Sequence, residues 1–101
     1  MAKAVKLYEG HDSYGRTIQV AEREDGQWFW REWGWNGFGV SWSKWGSADK
    51  PSHPEKVRNM CEYADAEEYV EIPEDERVHR IEWGFNTLRL IAGPYKVRLP
   101  N

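Results

Sequence analysis

Arg16 to Glu22 alternates apolar Ile18 and Val20 with polar Thr17 and Gln19, the period-two pattern of a half-buried strand. Val5 to Tyr8 reads as a shorter strand before it. The two are separated by the turn-rich Gly10-His11-Asp12-Ser13-Tyr14-Gly15. Asp25-Gly26 and Asn36-Gly37 are tight-turn dipeptides, and they bracket Gln27 to Trp35. Phe38 to Trp45 follows. The first half therefore predicts an antiparallel meander of three or four strands over residues 5–46.

Two-residue loops at both turns fix a register. Around Asn36-Gly37, Trp35 then faces Phe38, Trp33 faces Val40, Arg31 faces Trp42 and Trp28 faces Trp45. Around Asp25-Gly26, Ile18 faces Trp33, Val20 faces Arg31 and Ala21 faces Trp30. Opposed residues share a side of the sheet. One side collects Ile18, Val20, Phe29, Trp33, Val40 and Trp42, a core face with Arg31 inside it. The other collects Gln19, Ala21, Arg23, Trp28, Trp30, Ser43 and Trp45, polar but carrying three tryptophans. A bulge at either turn slips the register by one residue and exchanges the sides.

The second half predicts helices. Residues 47–52 read as a linker. Ser52-His53-Pro54-Glu55 then has a capping Ser, a Glu three residues on and a Pro in the first turn. Val57, Met60, Cys61 and Ala64 follow at helical spacing, so a helix is expected over about 54–65. An acidic connection covers 66–73, with a short strand at Tyr69 to Ile72. Pro73-Glu74-Asp75-Glu76 opens a second helix over about 74–92, with Val78, Ile81, Phe85, Leu88 and Ala92 on one stripe and Gly93-Pro94 closing it. His79, Ile81, Trp83 and Phe85 also alternate as a strand does, and Gly84 weakens a helix. The agreement of both caps with the helical period favours the helix. Tyr95 to Leu99 is the last strand. The expected class is α+β: a single domain over 1–101, with the meander, two helices packed on its Ile18/Val20/Trp33/Val40/Trp42 face, and a C-terminal strand.

Composition changes this picture in one respect. Among 101 residues there are seven Trp, five Tyr and three Phe, more aromatic surface than so short a core needs. Fourteen Lys+Arg against seventeen Asp+Glu give a net charge of −3, so no basic surplus points to nucleic acid. Acids concentrate over residues 62–76, which hold no Lys or Arg. That run is a solvated connection or a patch that docks on a basic partner. A lone Cys61 rules out an internal disulfide framework. No apolar window is long enough for a membrane span, and the N-terminus lacks the apolar stretch of a signal peptide, so the cytoplasm is the expected compartment.

Catalytic chemistry is thin. There is no phosphate-binding glycine loop, no metal-ligand spacing and no nucleophile elbow. His11-Asp12-Ser13 holds triad letters, but consecutive residues cannot build triad geometry. Cys61 fits a small buried hydrophobe on an apolar stripe better than a thiolate paired with His53 or His79. No cofactor or metal is expected, and the chain reads as a non-enzyme.

The positive signal is the face of Trp28, Trp30 and Trp45 with Arg23, Gln19 and Ser43, because Trp and Arg concentrate at binding hot spots. Trp83 and Leu90 lie off the second helix's core stripe and join the set. This face is either covered as ordinary core or exposed to a partner. A protein partner or self-association is the first expectation. Nucleic acid is the second: strand order and turn positions loosely resemble the sheet-reading DNA-binding domains of the integrase-arm type, with Arg16, Arg23, Arg31 and Lys44 along the strands. A carbohydrate stacked on the aromatic platform is the third.

Overall fold

The computed structural model describes residues 2–59 and 68–101. Strands β1 (Ala2–His11), β2 (Thr17–Arg23), β3 (Trp28–Trp35) and β4 (Val40–Trp42) follow one another as neighbours. Next come β5 (Gly46–Ala48), β6 (Lys56–Asn59) and β7 (Glu68–Glu71). A 3-10 turn over Glu74–His79 leads to β8 (Arg80–Trp83), β9 (Asn86–Leu90) and β10 (Arg98–Leu99). The main sheet runs β4-β3-β2-β1-β9-β8, with β5 also on β3 and β10 on β1, while β6 and β7 form a separate ribbon. Among the described residues every pairing of strands is antiparallel.

The expected α+β class is overturned: among the described residues no α-helix is present, and the domain is β. The helix expected over 74–92 fails at Gly84, whose φ of +58° is a turn conformation no helix interior tolerates. Gly84-Phe85 is a two-residue hairpin loop with glycine at its first position. Ile81 and Leu88, seven apart and so compatible with a helical stripe, are instead directly opposed across β8 and β9, and both are fully buried. Only the acidic opening survives as the 3-10 turn. The helix expected over 54–65 is replaced, where described, by an extended segment and β6; Met60, Cys61 and Ala64 lie outside the described residues. Pro51 and Pro54 hold their preceding residues extended. Ser52 does not cap: its carbonyl accepts the Glu82 N–H at 2.9 Å, so the segment lies along the edge of β8. Residues 47–52, expected as a linker, begin in β5, and the last strand shrinks to Arg98–Leu99 against Ala2 and Lys3.

The register of β2 on β3 differs by one residue from a two-residue loop. Ile18 faces Glu32, Val20 faces Trp30 and Ala21 faces Phe29. The cause is the turn. Gly26 N–H donates to Arg23 carbonyl and Arg23 N–H to Gln27 carbonyl, with Gly26 at φ +87°, so the loop spans three residues and ends in a glycine bulge. The β3–β4 loop takes four residues, Asn36 to Gly39, with Trp35 facing Val40 and Trp33 facing Trp42. Ile18 and Val20 therefore share a face with Trp28 and Trp30, while Phe29, Trp33 and Trp42 share the other with Gln19 and Arg31.

That sheet is rolled. Strands β3 and β8 lie four steps apart, about 19 Å in a flat sheet. The Trp30 and Trp83 ring centroids are nevertheless only 5.9 Å apart. The concave face holds Tyr8, Ile18, Val20, Trp28, Ile81 and Leu88, with Trp30, Trp83, Leu90 and Ala48 packed around them. His53 closes one side, its Nδ1–H shared between the carbonyls of Arg77 (3.1 Å) and Arg80 (2.7 Å) and its ring 6.4 Å from that of Tyr8. On the convex face a second core of Ala4, Leu7, Ala21, Phe29 and Leu99 lies under Trp45, Ile91, Tyr95 and Val97.

Candidate functional site

The convex face carries a polar row across five strands. Arg80 faces Arg89, Arg89 faces Glu9, Glu9 faces Gln19 and Gln19 faces Arg31. Gln19, buried, joins two of its neighbours: its Nε2 donates to Glu9 Oε1 at 3.1 Å and its Oε1 accepts from Arg31 Nε at 2.9 Å. The Arg31 guanidinium lies 4.2 Å from the Trp42 ring centroid and 4.5 Å from that of Trp45. Burial lowers its pKa, and two aromatic faces compensate the charge for the water it loses. The row separates the second core from a group of aromatics that nothing covers.

That group is the β3–β4 hairpin. The last registered β2–β3 pair is Ile18 with Glu32, and β2 begins at Thr17, so Gly34, Trp35 and the loop beyond run past its end. Trp33 is 40% exposed, Trp35 72%, Phe38 99% and Val40 55%. The hairpin is nonetheless built. Trp33 and Trp42 meet edge to face at 5.3 Å. Asn36 Oδ1 accepts the Phe38 N–H at 2.9 Å, its Nδ2 donates to Ser41 Oγ at 2.6 Å, and its backbone N–H donates to Gly39 carbonyl. Ser43 Oγ accepts the Glu32 N–H at 3.0 Å. Arg31 anchors the base through Trp42. The exposed residues thus sit on a hairpin held by its own turn, with on the order of 500 Å² of apolar surface open to solvent.

The residues singled out in the sequence are distributed over both faces. Trp28, 6% exposed, and the partly buried Trp30, Trp83 and Leu90 line the concave core together. Trp45 and Gln19 belong to the convex side, so Trp28, Trp30 and Trp45 do not share a surface. Arg23 donates from Nε and Nη2 to the Asp25 carboxylate and from Nη1 to the Pro100 carbonyl. The bond from the Arg23 guanidinium holds the Asp25 carboxyl down to about 2. Ser43 is exposed and tied to β3. His11, Asp12 and Ser13 line a cleft of about 510 Å³ with Phe85 and Asn86. Asp12 Oδ1 accepts the backbone N–H groups of Tyr14 and Arg16, the work of a turn residue.

Sequence reasoning passed over Phe38 as a site residue. Its signal was available: a large apolar side chain between Gly37 and Gly39 has no neighbour to bury it. Among the described residues, no group of three His, Cys, Asp or Glu converges as a metal-ligand set, and no helix is long and apolar enough to cross a membrane. No family model, no curated protein and no solved structure matches this chain.

Proposed function

We propose that the chain is a small, non-enzymatic, cytoplasmic binding domain that engages a protein partner through the apolar surface of its β3–β4 hairpin. The observation that carries this reading is the exposure of Trp35 and Phe38 on a hairpin whose turn is held by the hydrogen bonds of Asn36 and whose base is stacked. Exposed apolar patches of this size on small domains mark interaction sites, and aromatic anchors on a rigid frame lose little entropy on binding.

The cations favour protein over nucleic acid. Arg31 is stacked and bonded to Gln19, Arg23 is held by Asp25, and Arg16 pairs with Glu32 at 3.8 Å. Phosphate neutralisation calls for cations directed at solvent in surplus. The test is a photo-crosslinking amino acid in place of Phe38, irradiated in extract of the native cell. A polypeptide adduct is expected, lost on adding Trp35→Ala, while Trp35→Ala alone leaves the unfolding free energy within about 0.5 kcal/mol of wild type. An adduct removed by nuclease, or none at all, refutes the reading.

A further inference from the structure

The hairpin also carries a backbone edge. Ser43 N–H donates to Glu32 carbonyl at 2.8 Å and Asn36 N–H to Gly39 carbonyl at 3.0 Å. Hydrogen-bonded pairs alternate along an antiparallel ladder, so Gly34–Ser41, between those two, is also bonded. Ser41 therefore directs its N–H and C=O inward to β3, and Val40 and Trp42 direct theirs outward. Sheet edges are ordinarily protected by short length, charge, proline or a covering segment, and β4 has only the first of these, at three residues. Residues 38–43 contain no charged residue and no proline. At the opposite edge, β8 is covered, with Glu82 N–H donating to Ser52 carbonyl.

The geometry points to a second copy of this chain as an occupant of that edge, two β4 strands pairing antiparallel about a two-fold axis at Ser41. This rests on the protein-binding reading and names the partner. The edge is self-complementary. Val40 of one copy and Trp42 of the other exchange N–H···O=C bonds in both directions, giving four across the axis, and Ser41 faces its symmetry mate in the close, non-bonded pair. Val40 then meets an indole on the convex face, the kind of contact it already makes with Trp35 inside the hairpin. No like charges meet within 38–43, and Lys44 comes opposite the exposed Phe38 of the other copy. Edge pairing covers the edge backbone and the flanks of Val40 and Trp42 and leaves the outward faces of Trp33 and Trp35 open, less than the ~1,200 Å² of a stable specific interface, so the dimer is a weak, concentration-dependent one.

The cysteine test reads the register directly. In a Cys61→Ser background, Ser41→Cys places two thiols across the axis, where a non-bonded pair has Cα atoms about 4.5 Å apart and a disulfide can form. Mild oxidation is expected to give a covalent dimer efficiently. Ser47→Cys, exposed on β5 away from the axis, is the control that should not crosslink. Light scattering of the unmodified chain should rise toward twice the chain mass with concentration, and Ser41→Lys, facing its own charge, should raise the dissociation constant tenfold or more above that of Ser41→Ala, which loses the same bond from Asn36 without adding charge. A chain monomeric throughout, or crosslinking at Ser47 equal to that at Ser41, overturns the pairing. If it is overturned while the probe at position 38 still traps a different polypeptide, the protein-binding reading survives without self-association. Loss of both removes both.

Discussion

Replacing Trp83 with alanine tests whether the rolled sheet is closed by its own side chains. Trp83 lies on an edge strand, its ring 5.9 Å from that of Trp30 and tilted by 35°. Fully buried Trp→Ala changes cost about 3–5 kcal/mol, and Trp83 is only partly buried, so the expected loss is about 2–3 kcal/mol. Part of that belongs to the ring pair, about 0.5–1.5 kcal/mol beyond area. A double-mutant cycle with Trp30→Ala isolates it as the coupling energy. Urea denaturation followed by circular dichroism is the assay, because removing an indole alters fluorescence for trivial reasons. With a slope of about 1 kcal/mol/M, the midpoint falls by roughly 2 M. A surface contact would behave otherwise, within about 0.5 kcal/mol of wild type. That small value, or a coupling of zero, would refute closure by this pair and return Trp83 to the surface.

Three further substitutions probe the packing of the sheet and its turns. Gly10→Ala places a Cβ 2.5 Å from Leu88 Cδ2 and 3.0 Å from Thr87 carbonyl, so the β1–β9 contact must shift, at about 1–3 kcal/mol by thermal denaturation. Arg31→Lys keeps the charge but loses the planar stack on Trp42 and Trp45 and the Nε bond to Gln19; a loss of about 1 kcal/mol in urea is expected, and a neutral result would show the stack to be incidental. The Asp25 carboxyl is depressed to about 2, first by its bond from Arg23, so its contribution is fully present above pH ~4 and is lost as pH falls through 2. The difference in thermal midpoint between wild type and Asp25→Asn should be constant above pH 4 and close below it; a difference that grows on acidification contradicts the assignment.

The meander was legible because Asp25-Gly26 and Asn36-Gly37 are strong local signals and strand alternation around Ile18 and Val20 is plain. The register was not, because Gly26 closes a three-residue bulged loop from the same dipeptide that opens a two-residue one. That single residue moved Trp28 and Trp30 from a proposed contact face into the core. The helix over 74–92 failed for a related reason. A spacing of seven puts Ile81 and Leu88 on one helical stripe, and it also puts them opposite each other around a two-residue loop at 84–85. Local periodicity cannot separate those cases; Gly84 inside the run was the evidence for the loop. At the hairpin, the turn was visible and its consequence was not, since exposure of Trp35 and Phe38 depends on β2 ending at Thr17, a long-range fact.

The position of β1 has a kinetic consequence. It pairs with β2, β9 and β10, and Ala2 lies opposite Leu99. Completing that pair encloses nearly the whole chain in a loop, so the contact carries the largest closure entropy in the molecule and forms after the hairpins on topological grounds. The two ends also meet at the side of the sheet away from the β3–β4 loop. Joining them through a short linker turns this late, distant contact into a local one and leaves the exposed hairpin untouched. A permuted chain should therefore fold faster while keeping the same surface.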